Sequence, residues 1–220
     1  MKSFTSFFIS IFPFNKIRIF LFRVFLNYDI DYDSKIGFLN IINCTSLKMR
    51  GAKIGFLNQI LVDKLNLEKN ASIFKMNRIK SINILSLKDN AEIRSGNFIG
   101  APAKGTEGNS INFVNQNVYV ERNSSILRSN YFDVVNEIII GENVVFGGNG
   151  SEIWTHGFTV KRKMITDKVI FENDIFIGSN CIFTKGIKIV SETTIAPGSV
   201  VYKSITTKGI YSTHELRRVK

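Results

Sequence analysis

Two histidines and two cysteines are the residues of this chain best suited to proton or nucleophile chemistry. A neutral imidazole accepts a proton near pH 7, so each histidine is a candidate general base. His156 lies in Glu152-Ile153-Trp154-Thr155-His156-Gly157, beside the one tryptophan of the chain. Trp154 offers a flat ring to a ligand, or to packing. His214 sits in the C-terminal tail and reads as a surface residue. Cys44 and Cys181 form no CxxC pair, so neither a disulfide framework nor a zinc site is indicated, and a reducing cytosol suits them. Two histidines also fall short of a three-histidine catalytic zinc site, so no metal is expected.

The elements that must position these groups repeat. Lys35-Ile36-Gly37-Phe38-Leu39-Asn40 recurs as Lys53-Ile54-Gly55-Phe56-Leu57-Asn58, a shift of 18 residues, or three hexapeptides. Such a unit can make one triangular coil of three short strands. Near the C-terminus Phe171, Ile177, Phe183, Ile189, Ile195 and Val201 are apolar at a strict spacing of six. Four places after an apolar position stand Cys181, Thr193 and Ser199, with Ile175 and Ile187 as bulkier versions, all expected to point inward. Copies beginning at Leu67, Leu87, Val120 and Ile140 carry Asn70, Asn90, Asn123 and Asn143 at the fourth place, where a turn with left-handed backbone suits asparagine. The alternative is a sandwich of ordinary alternating strands.

A stack of coils pairs every strand edge except at its two ends, which need covering. Residues 1–34 are read as an N-terminal helical cap, with Asn15 to Leu26 as the helix; 35–204 as the repeat domain; and 205–220 as a C-terminal extension. The basic and large apolar residues of the first segment also suit a membrane surface or an oligomer contact. The hexapeptide register breaks near 100–117 and 154–168, and loops that leave a repeat scaffold often carry function.

Composition fits one globular domain, with 44% hydrophobic and 21% charged residues. The net charge of +11 attracts polyanions. Its lysines are scattered along the repeats, without a compact basic and aromatic run, so no nucleic acid partner is expected. A solvated basic surface and a phosphate-bearing ligand remain. No signal peptide and no membrane span is read from the sequence.

Ile177-Gly178-Ser179-Asn180-Cys181-Ile182-Phe183-Thr184-Lys185-Gly186, continuing to Ile195-Ala196-Pro197-Gly198-Ser199-Val200-Val201-Tyr202-Lys203, resembles the hexapeptide-repeat acyltransferases. Within that family it resembles the branch that O-acetylates bacterial surface polysaccharides and their sugar precursors. The resemblance implies an all-β, left-handed parallel β-helix and a homotrimer whose active sites lie between subunits. It also implies acetyl-coenzyme A as cosubstrate and a carbohydrate acceptor, in capsule or lipopolysaccharide biosynthesis. His156 takes the family's general base. Gly178, Ser179, Ala196, Pro197 and Gly198 take the pantetheine side of the donor groove, and Tyr202 and Lys203 the nucleotide side. Arg217, Arg218 and Lys220 could also meet phosphates, although a disordered basic tail is the plainer reading. Trp154 is assigned to the acceptor. The chain departs from the family pattern at Glu172 and Val190, where glycine is commonest, and at Lys185, where proline is usual.

A thioester is already activated, so a bound alcohol can attack it directly, and Cys181 is not needed as a nucleophile. N-acetylation of an amino sugar would use the same base and donor, and a non-enzymatic β-helix would use neither. A cytoplasmic enzyme working close to the inner membrane would reconcile the apolar, basic N-terminus with a soluble fold.

Overall fold

The computed structural model describes residues 2–101 and 115–213. His214, Arg217, Arg218 and Lys220, and most of the break at 100–117, lie outside these residues. The chain winds as a parallel, left-handed β-helix with three faces. One face is a nine-stranded sheet that begins at Lys35–Ile36 and Lys53–Ile54 and ends at Thr193–Ile195 and Gly209–Tyr211. The other two share a thirteen-stranded sheet, because the early strands Ile41–Met49, Gln59–Leu67 and Arg78–Leu87 run round a corner without a break. From Arg78–Leu87 onward the faces separate. Its first residues pair with Phe98–Gly100, which leads to Tyr131–Asp133, Glu152–Trp154, Ile182–Phe183 and Val200–Val201. Its last residues pair with Asn117–Val120.

Period-two alternation sends every second residue inward. The hexapeptide repeat places those residues above one another, as in the column Ile36, Ile54, Ile73, Ile93, Ile126, Phe146, Ile177 and Ile195. Of the six positions spaced by six near the C-terminus, five are wholly buried and Val201 is 8% exposed. Each such side chain contributes about 1.5–3 kcal/mol of burial. Phe132, Phe146, Phe171 and Phe183 meet edge to face and fill the interior beside the site described below.

The corners explain why the coil is not fixed at 18 residues. At one corner Asn70, Asn90, Asn123 and Asn143 adopt φ of 59°, 60°, 59° and 56°, as the turn reading requires, and their side chains bond in a row to Asp174. At another corner a buried ladder was not foreseen. Asn40, Asn58, Asn77, Asn97 and Asn130 stack, each side-chain oxygen accepting both the backbone and the side-chain N–H of the next asparagine at 2.9–3.1 Å. Rungs of this ladder are separated by 18, 19, 20 and 33 residues. The ladder holds coils of unequal length in one register.

Two helices cover the open N-terminal edge. α2 (Asn15–Leu26) buries Ile19, Phe22 and Leu26, while α1 (Lys2–Ile11) lies across Ile41–Met49. Side-chain oxygens receive the edge N–H groups that no further coil can pair. Asn15 accepts from Ile36, Ser10 from Asn40, Ser6 from Ile42 and the Tyr28 hydroxyl from Cys44, at 2.9–3.1 Å.

Candidate active site

The second break in the repeat forms as a hairpin. His156–Phe158 runs antiparallel to Met164–Thr166 and projects from the coil directly after Glu152–Trp154. In the coil before, Tyr131–Asp133 pairs with Glu152–Trp154 so that Asp133 lies opposite Trp154. The chain then turns through Thr155, and the His156 ring comes down on Asp133, with Nδ1 2.7 Å from Oδ2.

Asp133 is 3% exposed, and a buried carboxylate must be compensated by donors. The same oxygen, Oδ2, faces the Thr155 backbone N–H at 3.2 Å and the Thr155 hydroxyl at 3.3 Å. That hydroxyl lies closer to the Asp133 carbonyl, at 2.9 Å, and itself accepts from the Asn136 N–H at 2.9 Å. The carboxylate is therefore fixed before the histidine arrives. With Nδ1–H donated to Asp133, the imidazole lone pair lies on Nε2. Trp154 and Phe158 stand at the ring's sides, with centroids 6.2 Å and 5.6 Å away. The indole N–H is satisfied by Glu152, at 2.8 Å.

Asp133 was not singled out in the sequence. It lies 23 residues before His156, and only the coil register brings the two together. The available signal was a carboxylate between two apolar residues, Phe132 and Val134, at the end of the strand Tyr131–Asp133.

The remaining candidates fall into two groups. Gly178 and Ser179 follow Ile175–Ile177, and Ala196, Pro197 and Gly198 follow Thr193–Ile195, so these five stack on one corner, with Gly147 and Gly148 from the preceding coil. A Cβ on Gly178 would lie 2.5 Å from the Pro197 nitrogen, and one on Gly148 would lie 1.6 Å from Ser179 Oγ. Close approach of successive coils demands glycine there, and it leaves a strip lined by backbone and small side chains. Tyr202 and Lys203 follow Val200–Val201 and belong to the next corner, the one that also carries His156. The three-residue strand Glu152–Trp154, roughly 10 Å of chain, separates the two corners. Lys185, at the family's proline position, extends beside Gly157 of the hairpin.

Cys181 does not belong to this chemistry. It is wholly buried, its sulfur lies 3.3 Å from the Ala196 carbonyl oxygen, and burial pushes its thiol pKa up. Cys44 is likewise buried, with its pKa pushed up to about 12. Among the described residues no three of His, Cys, Asp and Glu gather as a metal site.

Residues 137–163 and 168–203 match the family described as the hexapeptide repeat of succinyl-transferase. No curated protein matches the chain. Among solved structures it is similar to a hexapeptide-repeat-containing acetyltransferase from Vibrio cholerae, VCA0836, complexed with acetyl coenzyme A. That likeness has 20% identity and a TM-score of 0.40 over 42% of this chain, and spans about half (54%) of the other. It is also similar to the polySia-specific acetyltransferase NeuO, at 14% identity and a TM-score of 0.36, over 88% of this chain and 79% of that one. The repeats in the sequence, the coils they build and the family match over 137–163 and 168–203 agree that this part of the chain is built of hexapeptide repeats.

Proposed function

We propose that the protein is an acetyl-coenzyme A-dependent O-acetyltransferase acting on a sugar hydroxyl of a bacterial capsular or lipopolysaccharide glycan, or a precursor of one. The observation that carries this reading is the 2.7 Å contact between His156 Nδ1 and the buried Asp133 carboxylate, at the head of a hairpin leaving the repeat. In this reading His156 Nε2 takes the hydroxyl proton as the sugar oxygen attacks the acetyl carbonyl. It then returns that proton to the departing coenzyme A sulfur, so the imidazole ends as it began. Asp133 holds the ring and stabilises its charged form between the two transfers. Direct attack suits a site whose nearest cysteine is buried and structural.

The glycine-rich corner fits the donor: Gly178, Ser179, Ala196, Pro197 and Gly198 expose backbone along which a pantetheine arm could lie. Tyr202 and Lys203, side by side at the last coils, suit its nucleotide and phosphates. Assembly as a homotrimer would place such a corner beside a neighbour's histidine.

Titration calorimetry with acetyl-coenzyme A tests the donor, alongside light scattering for the trimer and product analysis on hydroxyl and amino sugars. Saturable heat with ester formation is expected. A folded protein without donor heat would make it a scaffold, and amide products alone would make it an N-acetyltransferase.

The proposal extends to a membrane surface. Residues 1–28 contain Lys2, Lys16 and Arg23, besides the buried Arg18, but no carboxylate, and α1 and α2 expose Phe4, Phe8, Phe20 and Phe25. Exposed aromatic rings with cations alone favour an interface of anionic lipid. No helix among the described residues is long and apolar enough to cross a membrane. The protein is expected to sediment with phosphatidylglycerol vesicles and not with phosphatidylcholine vesicles, and Phe8→Ser with Phe25→Ser should weaken this about tenfold. Equal recovery in the supernatant with both lipids would remove the membrane from the reading.

A further inference from the structure

On the face that leads to His156, three aromatic rings form a ladder on the outside of the solenoid. Phe98 and Tyr131 are stacked with centroids 4.9 Å apart and planes 8° from parallel, and Tyr131 and Trp154 follow at 5.2 Å. Trp154 then meets His156 at 6.2 Å. The rings succeed one another along the solenoid axis, because Phe98 and Tyr131 are register partners in adjacent strands and the indole leans back over Tyr131.

The core does not call for this ladder. On the same strands Ile99, Phe132 and Ile153 face inward and are wholly buried, while Tyr131 is 37% exposed and Phe98 and Trp154 are half-buried. Aromatic faces held at a solvated surface suit ligands with flat apolar faces and polar edges, which is the character of a pyranose ring.

The charges around the ladder narrow the ligand further. Arg78, exposed, is the register partner of Phe98, and the Lys80 ammonium stands 5.7 Å from the Phe98 ring. The corner leading into this face holds a depression lined by Lys75, Arg94 and Arg128. Two carboxylates on the face are engaged, Glu152 by the indole N–H and Asp133 by Thr155 and His156. Arg94 is paired with Glu92, at 2.7 Å. The balance of the surface is positive.

We infer that Phe98, Tyr131 and Trp154, with Arg78 and Lys80 beyond them, form an extended seat for an acidic oligosaccharide, running along the solenoid axis and ending at His156. This names the acceptor class of the proposed transfer and rests on that reading only for the role of His156. A chain seated over several rungs presents one hydroxyl to the imidazole while its other sugars supply binding.

The single tryptophan makes the seat observable, since Trp154 is the ladder's last ring. Oligogalacturonate and hyaluronan fragments of increasing length, with maltooligosaccharides as neutral controls, are titrated against the protein without acetyl-coenzyme A. Trp154 emission and calorimetry serve as the two readouts. The acidic chains are expected to change the emission, to bind more tightly as they lengthen to three sugars or more, and to weaken with added salt. Tyr131→Ala and the surface variant Arg78→Glu should each raise the apparent Kd about tenfold or more, with circular dichroism unchanged. Binding that is equal for neutral and acidic chains, that is unchanged in both variants, or that is absent with every acidic chain overturns the seat. Donor binding is read separately by calorimetry with acetyl-coenzyme A. Loss of donor heat with intact glycan binding would sink the transfer reading and leave the seat standing, and the reverse result would do the opposite.

Discussion

His156→Ala is expected to lower kcat for acetyl transfer by 10²- to 10⁴-fold, about 3–5 kcal/mol of barrier, with little change in KM for donor or acceptor. The ring lies at the base of the hairpin, against Asp133 and outside the apolar core of the coil, so its removal leaves that core intact. Added imidazole should restore part of the lost rate, which a purely structural histidine would not allow. Asp133→Asn separates positioning from packing, because it keeps the shape and changes one atom's role. The amide can present its N–H to Nδ1, which moves the ring proton to Nε2 and removes the lone pair that accepts the hydroxyl proton. A fall on the order of 10²- to 10⁴-fold in kcat is expected here too, with KM unchanged and no rescue by imidazole. Normal turnover in folded His156→Ala would end the assignment of the base. Normal turnover in Asp133→Asn alone would leave the aspartate a structural anchor for Thr155.

The sequence disclosed these parts unevenly, and the reasons are physical. Inward positions were legible because the coil repeats every six residues and burial selects the same residue type each time; Phe171 to Ile195 follow that rule without exception. The left-handed corners at Asn70, Asn90, Asn123 and Asn143 were legible because few side chains tolerate positive φ, and asparagine is one of them. His156 was legible as one of only two histidines, standing where the repeat breaks. Asp133 was not, since its partner is set by the stacking of coils and its flanking residues continue an ordinary strand. The five small residues from Gly178 to Gly198 were assigned as one set and do form one corner. Their separation by a strand from the corner of Tyr202 and Lys203 needs the winding of the chain, which the motif alone does not contain. The buried asparagines escaped because their separations drift from 18 to 33 residues, so no fixed period reveals them.

That drift makes the ladder the place where the fold is most exposed to a single substitution. Asn77 is 1% exposed; its side-chain oxygen accepts from the N–H and the amide of Asn97, each at 3.0 Å, and its own amide donates to Asn58 at 3.1 Å and to the Arg94 carbonyl at 2.7 Å. Asn77→Leu keeps the same number of side-chain heavy atoms and the same branching, so no cavity forms, but two donors on Asn97 and the Arg94 carbonyl lose their partners inside the protein. At about 1–3 kcal/mol for each of these three groups left without a partner, the expected loss is roughly 3–9 kcal/mol, a large share of the 5–15 kcal/mol typical of a folded domain. Asn90→Gly supplies the contrast. Asn90 stands on the solvent-exposed ladder at φ 60°, which glycine adopts freely, so the change should cost under about 1 kcal/mol. Denaturant unfolding followed by circular dichroism checks both, and a loss below about 1 kcal/mol in Asn77→Leu would mean that the buried ladder does not hold the coils together. Because each coil of a solenoid contacts only its neighbours, a broken rung should also divide the unfolding of Asn77→Leu into two steps, the N-terminal coils melting before the C-terminal coils that carry His156 and Asp133.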